Sequence, residues 1–381
     1  MIDPIAIVGV AQTSYERRKK DKTYYDLVYE VTRDALGDAG LTLDDIDGVV
    51  TVSNDFWDGR TISGMAVGDA AGVHDKNVST VSGDGTFGAA YGAMRTLGGG
   101  GTTLVVVHSK GSEGDPSTIT NGMFDPIFQR LLGIDYVTSA ALQCRRYLEA
   151  HGVAEEQPAQ VSVKNHGNAG NNPYAQLPLD LSVADVMASR PIADPLKLLD
   201  CSPVSDGAAA IILAPEDRVG KAKTRPVWVK GMAHCADEYV LGERDLADPK
   251  ALRDAAKRAY AMAGVTDPVA ELDLIELYDA FSYMEPLWLE GLGVCEPGQG
   301  ATLIDKGLTT MGGALPVNPS GGVLSAHPVL VAGLARIIEA ALQLRGEAGA
   351  RQVAGAKRAL AHGINGPCGQ SHCVWVLSTE R

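Results

Sequence analysis

The feature that most constrains this chain is an order of elements that occurs twice. In the first half, the apolar run 5–10 predicts a buried strand. Apolar residues at helical spacing predict a helix over 24–40, with Gly40 at the position of a C-terminal cap. The segment 48–52, which follows an acidic stretch, predicts the next strand.

The same order returns about 225 residues later in the chain. Segment 227–231 predicts a strand, 252–264 an alanine-rich helix that ends in Ala-Gly, and 271–277 the following strand. Strand, helix and strand also follow one another in many unrelated α/β proteins. The pattern therefore favours two duplicated α/β halves, with an ordinary α/β chain as the alternative.

Each half also contains a glycine-rich turn that opens a helix, which we call an elbow. The first elbow, 81–88, precedes a helix over 89–97 and a strand at 103–107; the second, 318–327, precedes a helix over 329–344. A helix start directs backbone N–H groups and the positive end of the helix dipole to one point, where an oxyanion is stabilised. We expect the two elbows to meet in one site, between mostly parallel sheets arranged in five layers.

Between the halves lies a long insertion, with a helix over 137–152 and a polar loop over 164–173. Loops of this length in compact proteins usually carry function. The predicted domains are a first half, an insertion and a second half: residues 1–110 with 200–222, residues 111–199, and residues 223–381.

Charge and composition exclude several classes of protein. The net charge of −14 disfavours nucleic acid and anionic membranes as partners, and the basic run Arg17–Lys20 is expected to be solvated surface. The six cysteines form no CxxC pair, so we expect no metal site. No apolar run reaches membrane-spanning length, and Met1–Pro4 leads directly into the first strand, so the chain is expected to be cytoplasmic.

Several segments together resemble the thiolase superfamily, in particular the branch that includes the thiolase portion of sterol carrier protein x. The resemblance covers nearly the whole chain. It rests on Lys164–His166, Asn172–Pro173, Asp206–Ala210, Glu276–Ser282, Asn318–Gly322, His327–Pro328 and Leu344–Gly349.

This resemblance implies a duplicated five-layer αβαβα fold with an inserted loop domain. It further implies an enzyme that takes a coenzyme A thioester as substrate, with no covalently bound cofactor. A homodimer formed through the strand near 103–107 is expected, and members of this branch often pair with a small zinc-ribbon/OB-fold protein.

A thiolase carries a nucleophilic cysteine on the first elbow, because a thiolate attacks a thioester well at neutral pH. This chain has no cysteine there. Ser82, Gly83 and Asp84 are the candidates, and an alignment on Ala89 and Ala93 places Gly83 at the nucleophile position.

Four other residues match catalytic positions of the family or lie near them. His327 stands where the activating histidine does, and Tyr278 replaces a histidine or asparagine that holds an oxyanion water. Cys368 lies near the place of the second, proton-moving cysteine, and His362 precedes it in the same glycine-rich stretch. The alternatives are a structural role for each histidine, a backbone-bonded hydroxyl for Tyr278, and simple packing for Cys368.

The remaining candidates are Asp84, as a catalytic group or as a helix cap, and four possible substrate contacts. These contacts are Gly83, Gly85, Gly322 and His166.

Three functional hypotheses follow from the resemblance. The missing elbow cysteine favours retro-aldol cleavage of a β-hydroxyacyl-CoA, as in the thiolase-like aldolases of steroid side-chain degradation, a form of lipid metabolism. The second hypothesis is a 3-oxoacyl-CoA thiolase or acetyl-CoA acyltransferase that uses Cys368. The third is a non-catalytic subunit of a complex with the zinc-ribbon/OB-fold protein.

Overall fold

The computed structural model describes residues 4–381, so most of Met1–Pro4 lies outside the described residues. Within that range the chain forms eleven strands and fourteen α-helices. The strands are β1 (Ile5–Gln12), β2 (Gly48–Val52), β3 (Asn77–Val81), β4 (Thr103–Lys110), β5 (Pro191–Ala193), β6 (Leu196–Lys197), β7 (Asp206–Pro215), β8 (Val227–Ala236), β9 (Leu274–Glu276), β10 (Arg358–Asn365) and β11 (Ser371–Ser378). The helices are α1 (Tyr24–Ala39), α2 (Asp55–Asp58), α3 (Ser63–Ala66), α4 (Gly85–Arg95), α5 (Pro116–Asn121), α6 (Tyr136–His151), α7 (Glu156–Ala169), α8 (Val183–Ala188), α9 (Glu216–Val219), α10 (Lys250–Ala263), α11 (Pro268–Glu271), α12 (Met284–Gly291), α13 (Gly300–Asp305) and α14 (Ala332–Arg345).

Local signals explain where α1 begins and ends. Thr23 and Asp26 form a capping box at its start, and Gly40 closes it in the left-handed conformation, at φ 69°. The apolar stripe that includes Leu27 and Val31 is buried, so α1 packs one face on the first half of the sheet.

The strands join in one order, β3-β2-β4-β7-β1-β8-β11-β10-β9. The halves connect where β1 pairs with β8 over only two residue pairs. Parallel pairing occurs between β2 and its neighbours β3 and β4, and between β9 and β10, whereas the other five pairings are antiparallel.

The prediction of mostly parallel sheets is therefore wrong. Only residues 366–370 connect β10 to β11, and a link this short permits only an antiparallel pair, because a parallel one needs a crossover of a dozen or more residues. Strand β7, which follows the insertion, is antiparallel to both of its neighbours.

Helix burial distinguishes the layers. Helices α1 and α10 bury one face each, on the outer sides of the two halves of the sheet. Helix α14 is buried at all its positions except Leu342, because with α4 it fills the space between the two halves. The order helix, sheet, helices, sheet, helix confirms the predicted five layers.

The chain between β4 and β7 forms helices α5 to α8 and the small β5–β6 hairpin. The polar loop predicted over 164–173 is wrong in its first part, since α7 continues to Ala169. Its buried face contains polar as well as apolar residues, which hid the helical period: Pro158, Ala159, Val161, Ser162, Asn165, His166 and Ala169.

Strand β4, through which the resemblance implied dimer formation, lies inside the sheet with β2 and β7 on either side. Its backbone groups are therefore already paired, and β3 is the strand at that edge of the sheet. Among residues 4–381, no helix combines the length and the apolar character needed to cross a membrane.

Candidate active site

A cavity of about 280 Å³ opens where the two elbows meet the insertion. Its walls are mainly apolar, with Ile119, Phe124 and Phe281 among them. Its lining also includes five of the residues singled out from the sequence: Gly83, Asp84, Tyr278, His327 and Cys368. An apolar cavity with a few convergent polar groups is the usual form of a small-molecule site.

Backbone hydrogen bonds tie the two elbows together. The Gly85 N–H donates to the Leu330 carbonyl at 2.7 Å, and the Gly333 N–H donates to Asp84 Oδ2 at 2.9 Å. Asp84 Oδ1 accepts from the backbone N–H and the hydroxyl of Thr86 at the start of α4. Burial raises the pKa of Asp84 to about 6, against the opposing effect of these bonds. Asp84 therefore caps α4 and joins it to α14.

The first elbow presents no nucleophilic side chain to the cavity. Gly83 has φ 150°, and a β-carbon there would lie 2.9 Å from Asn365 Nδ2, so the position is reserved for glycine. The exposed Ser82 accepts a hydrogen bond from Asn54 and does not line the cavity. The side-chain oxygens of Asp84 are occupied as described.

His327 sits between two hydroxyl groups at the cavity wall. Its Nδ1 lies 2.8 Å from Ser202 Oγ, and its Nε2 lies 2.7 Å from the Tyr278 hydroxyl oxygen. The Ser205 hydroxyl holds the His327 backbone N–H at 2.9 Å. Burial lowers the pKa of His327 to about 4, so the ring is neutral at physiological pH and can accept a proton from one hydroxyl while donating to the other.

Tyr278 is the second polar group at this wall. Its ring meets that of His327 edge-on, with centroids 5.5 Å apart. Its hydroxyl also lies 3.2 Å from the Val329 carbonyl oxygen, so the backbone bond weighed from the sequence is present beside the contact with His327. Burial, aided by the charge of Asp84, raises the pKa of Tyr278 well above its ordinary value, so the side chain is a phenol.

A pair of histidines, His362 and His372, lies behind Tyr278, outside the cavity lining. The Tyr278 backbone N–H donates to His362 Nδ1 at 3.3 Å, which places the His362 proton on Nε2. That nitrogen lies 2.9 Å from His372 Nδ1, and His372 bonds in turn to the Gly369 backbone. Burial lowers the pKa of His362 to about 3 and that of His372 well below its ordinary value. His362, predicted as catalytic, is thus brought to Tyr278 but not into the cavity.

Cys368 lines the cavity in a strained backbone conformation, at φ 52°. Its side chain packs with Phe124 and Leu241, and Gln143 donates to its carbonyl at 3.2 Å. Burial raises the pKa of the thiol to about 11, so it is protonated at neutral pH.

Three predicted substrate contacts lie outside the cavity lining. Gly322, at φ 64°, packs against the Asp279 carboxylate, which accepts from the Val323 N–H at 2.5 Å and from Asn165 Nδ2 at 2.7 Å. His166 is buried in α7, with Nδ1 donating to the Leu177 carbonyl at 2.9 Å. Gly85, the third, is buried in the contact between the elbows and does not itself line the cavity.

Sequence reasoning missed three residues that shape the site: Ser202, His372 and Asn365. Ser202 lies 125 residues from His327 in the chain, and no spacing rule links them. His372 could be linked to His362 only once the register of the β10–β11 hairpin was known. In that register His372 pairs with Ile364, two residues along β10 from His362.

Comparison with known proteins places this geometry in a family. Residues 233–379 match the family described as "Thiolase C-terminal domain-like". The chain is 35% identical to an acetyl-CoA acetyltransferase of Methanothermobacter thermautotrophicus, over 96% of this chain and 97% of the relative. It is 34% identical to human sterol carrier protein 2, over 94% of this chain and 69% of that protein.

A solved structure, the Ltp2-ChsH2(DUF35) aldolase, shares the fold with a TM-score of 0.86 at 24% identity. The match covers 100% of this chain and 99% of that one. At this identity the likeness is one of fold alone. Taken with the Methanothermobacter relative, which matches over nearly its whole length, it shows that this chain belongs to the thiolase superfamily and is an acyl-CoA enzyme with the five-layer thiolase fold.

Proposed function

We propose that the protein cleaves a carbon–carbon bond next to a coenzyme A thioester by a retro-aldol reaction, without an acyl-enzyme. The substrate is a 3-hydroxyacyl-CoA, and the products are an aldehyde or ketone and a shorter acyl-CoA. The observation that carries this proposal is the 2.7 Å contact between the Tyr278 hydroxyl and His327 Nε2 at the cavity wall.

The contact provides a path for one proton. The substrate hydroxyl gives its proton to the Tyr278 oxygen, and the phenol proton passes to His327 Nε2. The Cα–Cβ bond breaks, its electrons form the thioester enolate, and the hydroxyl carbon becomes a carbonyl. Tyr278 then returns a proton to the enolate carbon and recovers its own from His327. Ser202, which accepts from Nδ1, stabilises the imidazolium formed in between.

Among residues 4–381, the cavity lining offers no ionised thiol, which supports a route without a covalent intermediate. The acyl-enzyme of a thiolase needs a cysteine thiolate within reach of the thioester. Gly83 occupies the elbow position, and Cys368 is a protonated thiol whose pKa is raised to about 11 by burial. A retro-aldol step needs no such nucleophile, only an acid/base pair and stabilisation of the enolate.

The direct test uses 3-hydroxyacyl-CoA thioesters of increasing chain length without added CoA. We expect release of a carbonyl compound and a shorter acyl-CoA in equal amounts. Liquid chromatography with mass spectrometry measures both products. Absence of cleavage, together with thiolysis of a 3-oxoacyl-CoA when free CoA is added, would contradict the proposal.

The second candidate is an acetyl-CoA acyltransferase that uses Cys368. Its support is the relative named acetyl-CoA acetyltransferase, 35% identical over nearly the full length of both chains. This reaction requires ligand binding to lower the pKa of Cys368. Mass spectrometry after a brief incubation with acetyl-CoA would then show an acetyl group on that cysteine.

We also propose that a partner protein completes the site. One solved structure that shares this fold, the Ltp2-ChsH2(DUF35) aldolase, carries a DUF35 protein in its name. Turnover that begins only after a small zinc-ribbon/OB-fold protein is added would support an incomplete site in the isolated chain.

A further inference from the structure

A second pocket adjoins the cavity on its outer side and is open to solvent. Pro116, Pro203 and Val204 belong to the lining of both, so the two spaces share a wall. The rest of the outer pocket comes from the segment after β1, the turn after β4 and Gln176.

Three of the residues that line the outer pocket are cations: Arg17, Arg18 and Lys20. All three are exposed, and among residues 4–381 none of them forms an ion pair or a side-chain hydrogen bond. Among residues 4–381, no carboxylate belongs to the lining, although the whole chain carries a charge of −14. Three free cations in an acidic protein form a local positive site for an anion.

The segment that carries these cations is held in place by its own buried lysine. Lys19, expected from the sequence to be solvated, is buried, and its Nζ bonds to Glu16 at 2.6 Å and to Ser14 at 3.1 Å. Its backbone N–H donates to Asp206 at 3.0 Å, and its carbonyl accepts from Lys110 at 2.6 Å. Neighbouring side chains on this anchored segment therefore project to the pocket without the cost of ordering a free loop.

We propose that Arg17, Arg18 and Lys20 bind the phosphate groups of coenzyme A, while its pantetheine arm passes Pro116, Pro203 and Val204 into the cavity. This inference rests on the proposed function, since it takes the substrate to be a CoA thioester. Guanidinium groups suit the role because they contact phosphate oxygens through two parallel N–H bonds. Gln176, whose Oε1 is buried without a hydrogen-bond partner among the described residues, contributes a carboxamide to the same lining.

The test measures binding of CoA by isothermal titration calorimetry, without any turnover. The double variant Arg17→Gln/Arg18→Gln is expected to raise the Kd for CoA at least about tenfold, because each charge-assisted bond contributes strongly to affinity. Raising the salt concentration should weaken CoA binding to the unmodified protein more than to the variant. Binding of an acyl-pantetheine, which lacks the nucleotide and its phosphates, should be equal in both.

The matched control is Lys257→Gln/Arg258→Gln, an adjacent exposed pair on α10 that lines neither pocket. It should leave CoA affinity unchanged, and circular dichroism should show that both variants are folded. The assignment is overturned if the Arg17/Arg18 variant binds CoA as tightly as the unmodified protein does. It is also overturned if the variant loses affinity for CoA and for acyl-pantetheine to the same extent. Failure of the unmodified protein to bind CoA would overturn the proposed function as well.

Discussion

A single histidine and a pair of histidines contact Tyr278 at different atoms, and their other partners differ. His327 faces two hydroxyl groups, those of Ser202 and Tyr278, at the wall of the cavity. The pair His362–His372 is anchored by backbone groups at both ends, the Tyr278 N–H and the Gly369 backbone. Burial lowers the pKa of all three rings.

The difference in partners separates chemistry from positioning. A hydroxyl can donate or accept, so the bonds on either side of His327 can reverse as a proton moves. A backbone N–H only donates, so His362 Nδ1 must stay an acceptor. We therefore propose that His327 transfers the proton. The buried pair His362–His372 holds Tyr278 and the 366–370 turn in place.

The largest effect is expected from His327→Ala. Removal of the ring deletes the proton acceptor for Tyr278, so cleavage of a 3-hydroxyacyl-CoA should slow about 10²- to 10⁴-fold, as measured by kcat. The control is His234→Ala, an exposed histidine that contacts Phe87 outside the cavity lining. Equal rates for the two variants would remove His327 from the mechanism.

His372→Leu should act mainly on stability. The substitution leaves a buried His362 N–H without its acceptor, at a cost of about 1–3 kcal/mol in the free energy of unfolding. Urea denaturation measures that cost, and kcat should fall much less than for His327→Ala. A loss of activity as large as that of His327→Ala, without loss of stability, would reverse the comparison.

The pH dependence of stability follows from the direction of the shifts. Burial lowers the pKa of His362 from 6.5 to about 3. Between these two pH values His362 binds a proton in the unfolded chain but not in the folded chain. Its contribution to stability is therefore present above pH 6.5 and is lost as the pH falls toward 3. The buried Asp84, with its pKa raised to about 6, acts in the opposite sense and loses its contribution as the pH rises through 6.

Unfolding midpoints between pH 4 and pH 7 test this sign. The double variant His362→Leu/His372→Leu should be less stable at pH 7 but should lose less further stability on acidification than the unmodified protein. An unchanged or steeper acid dependence would contradict the assignment of neutral, buried rings.

Ser202→Ala is expected to have the smallest effect. Its hydroxyl supports His327 from the side away from the substrate, and loss of one hydrogen bond of about 1 kcal/mol corresponds to roughly a fivefold fall in kcat. Because Ser202 stabilises the imidazolium, the acid limb of the pH–rate profile should move to lower pH. A change in KM alone would assign Ser202 to substrate binding instead.

The sequence predicted the elements whose signals are local. Strand 48–52 is found with the same bounds, and the predicted helix 24–40 is α1, which ends at Ala39 with Gly40 as its cap. Elements whose residues face buried partners in the other half were harder to predict. Helix α7 carries Lys164 and Asn165, which look like loop residues but bind the buried carboxylates of Glu285 and Asp279.

For the site, the sequence indicated His327 and Tyr278 but not the contact between them. The contacts that define the roles of these residues join positions far apart in the chain, such as Ser202 with His327, and become visible only when the two halves and the insertion are folded together. The burial of these side chains also arises only when the two halves and the insertion fold together. It raises the pKa of the Cys368 thiol to about 11 and keeps Tyr278 a phenol.

The most direct measurement compares Tyr278→Phe with Cys368→Ala on the same 3-hydroxyacyl-CoA, in single turnovers. Tyr278→Phe removes only the oxygen that passes the proton, so bond cleavage should fall by at least about 10²-fold, whereas Cys368→Ala should stay within a few-fold of the unmodified protein. Tyr260→Phe, which removes a hydroxyl bonded to the Leu292 carbonyl, is the control for loss of a buried phenol. Full activity of Tyr278→Phe with an inactive Cys368→Ala would show that the thiol, and not the tyrosine–histidine pair, carries the reaction.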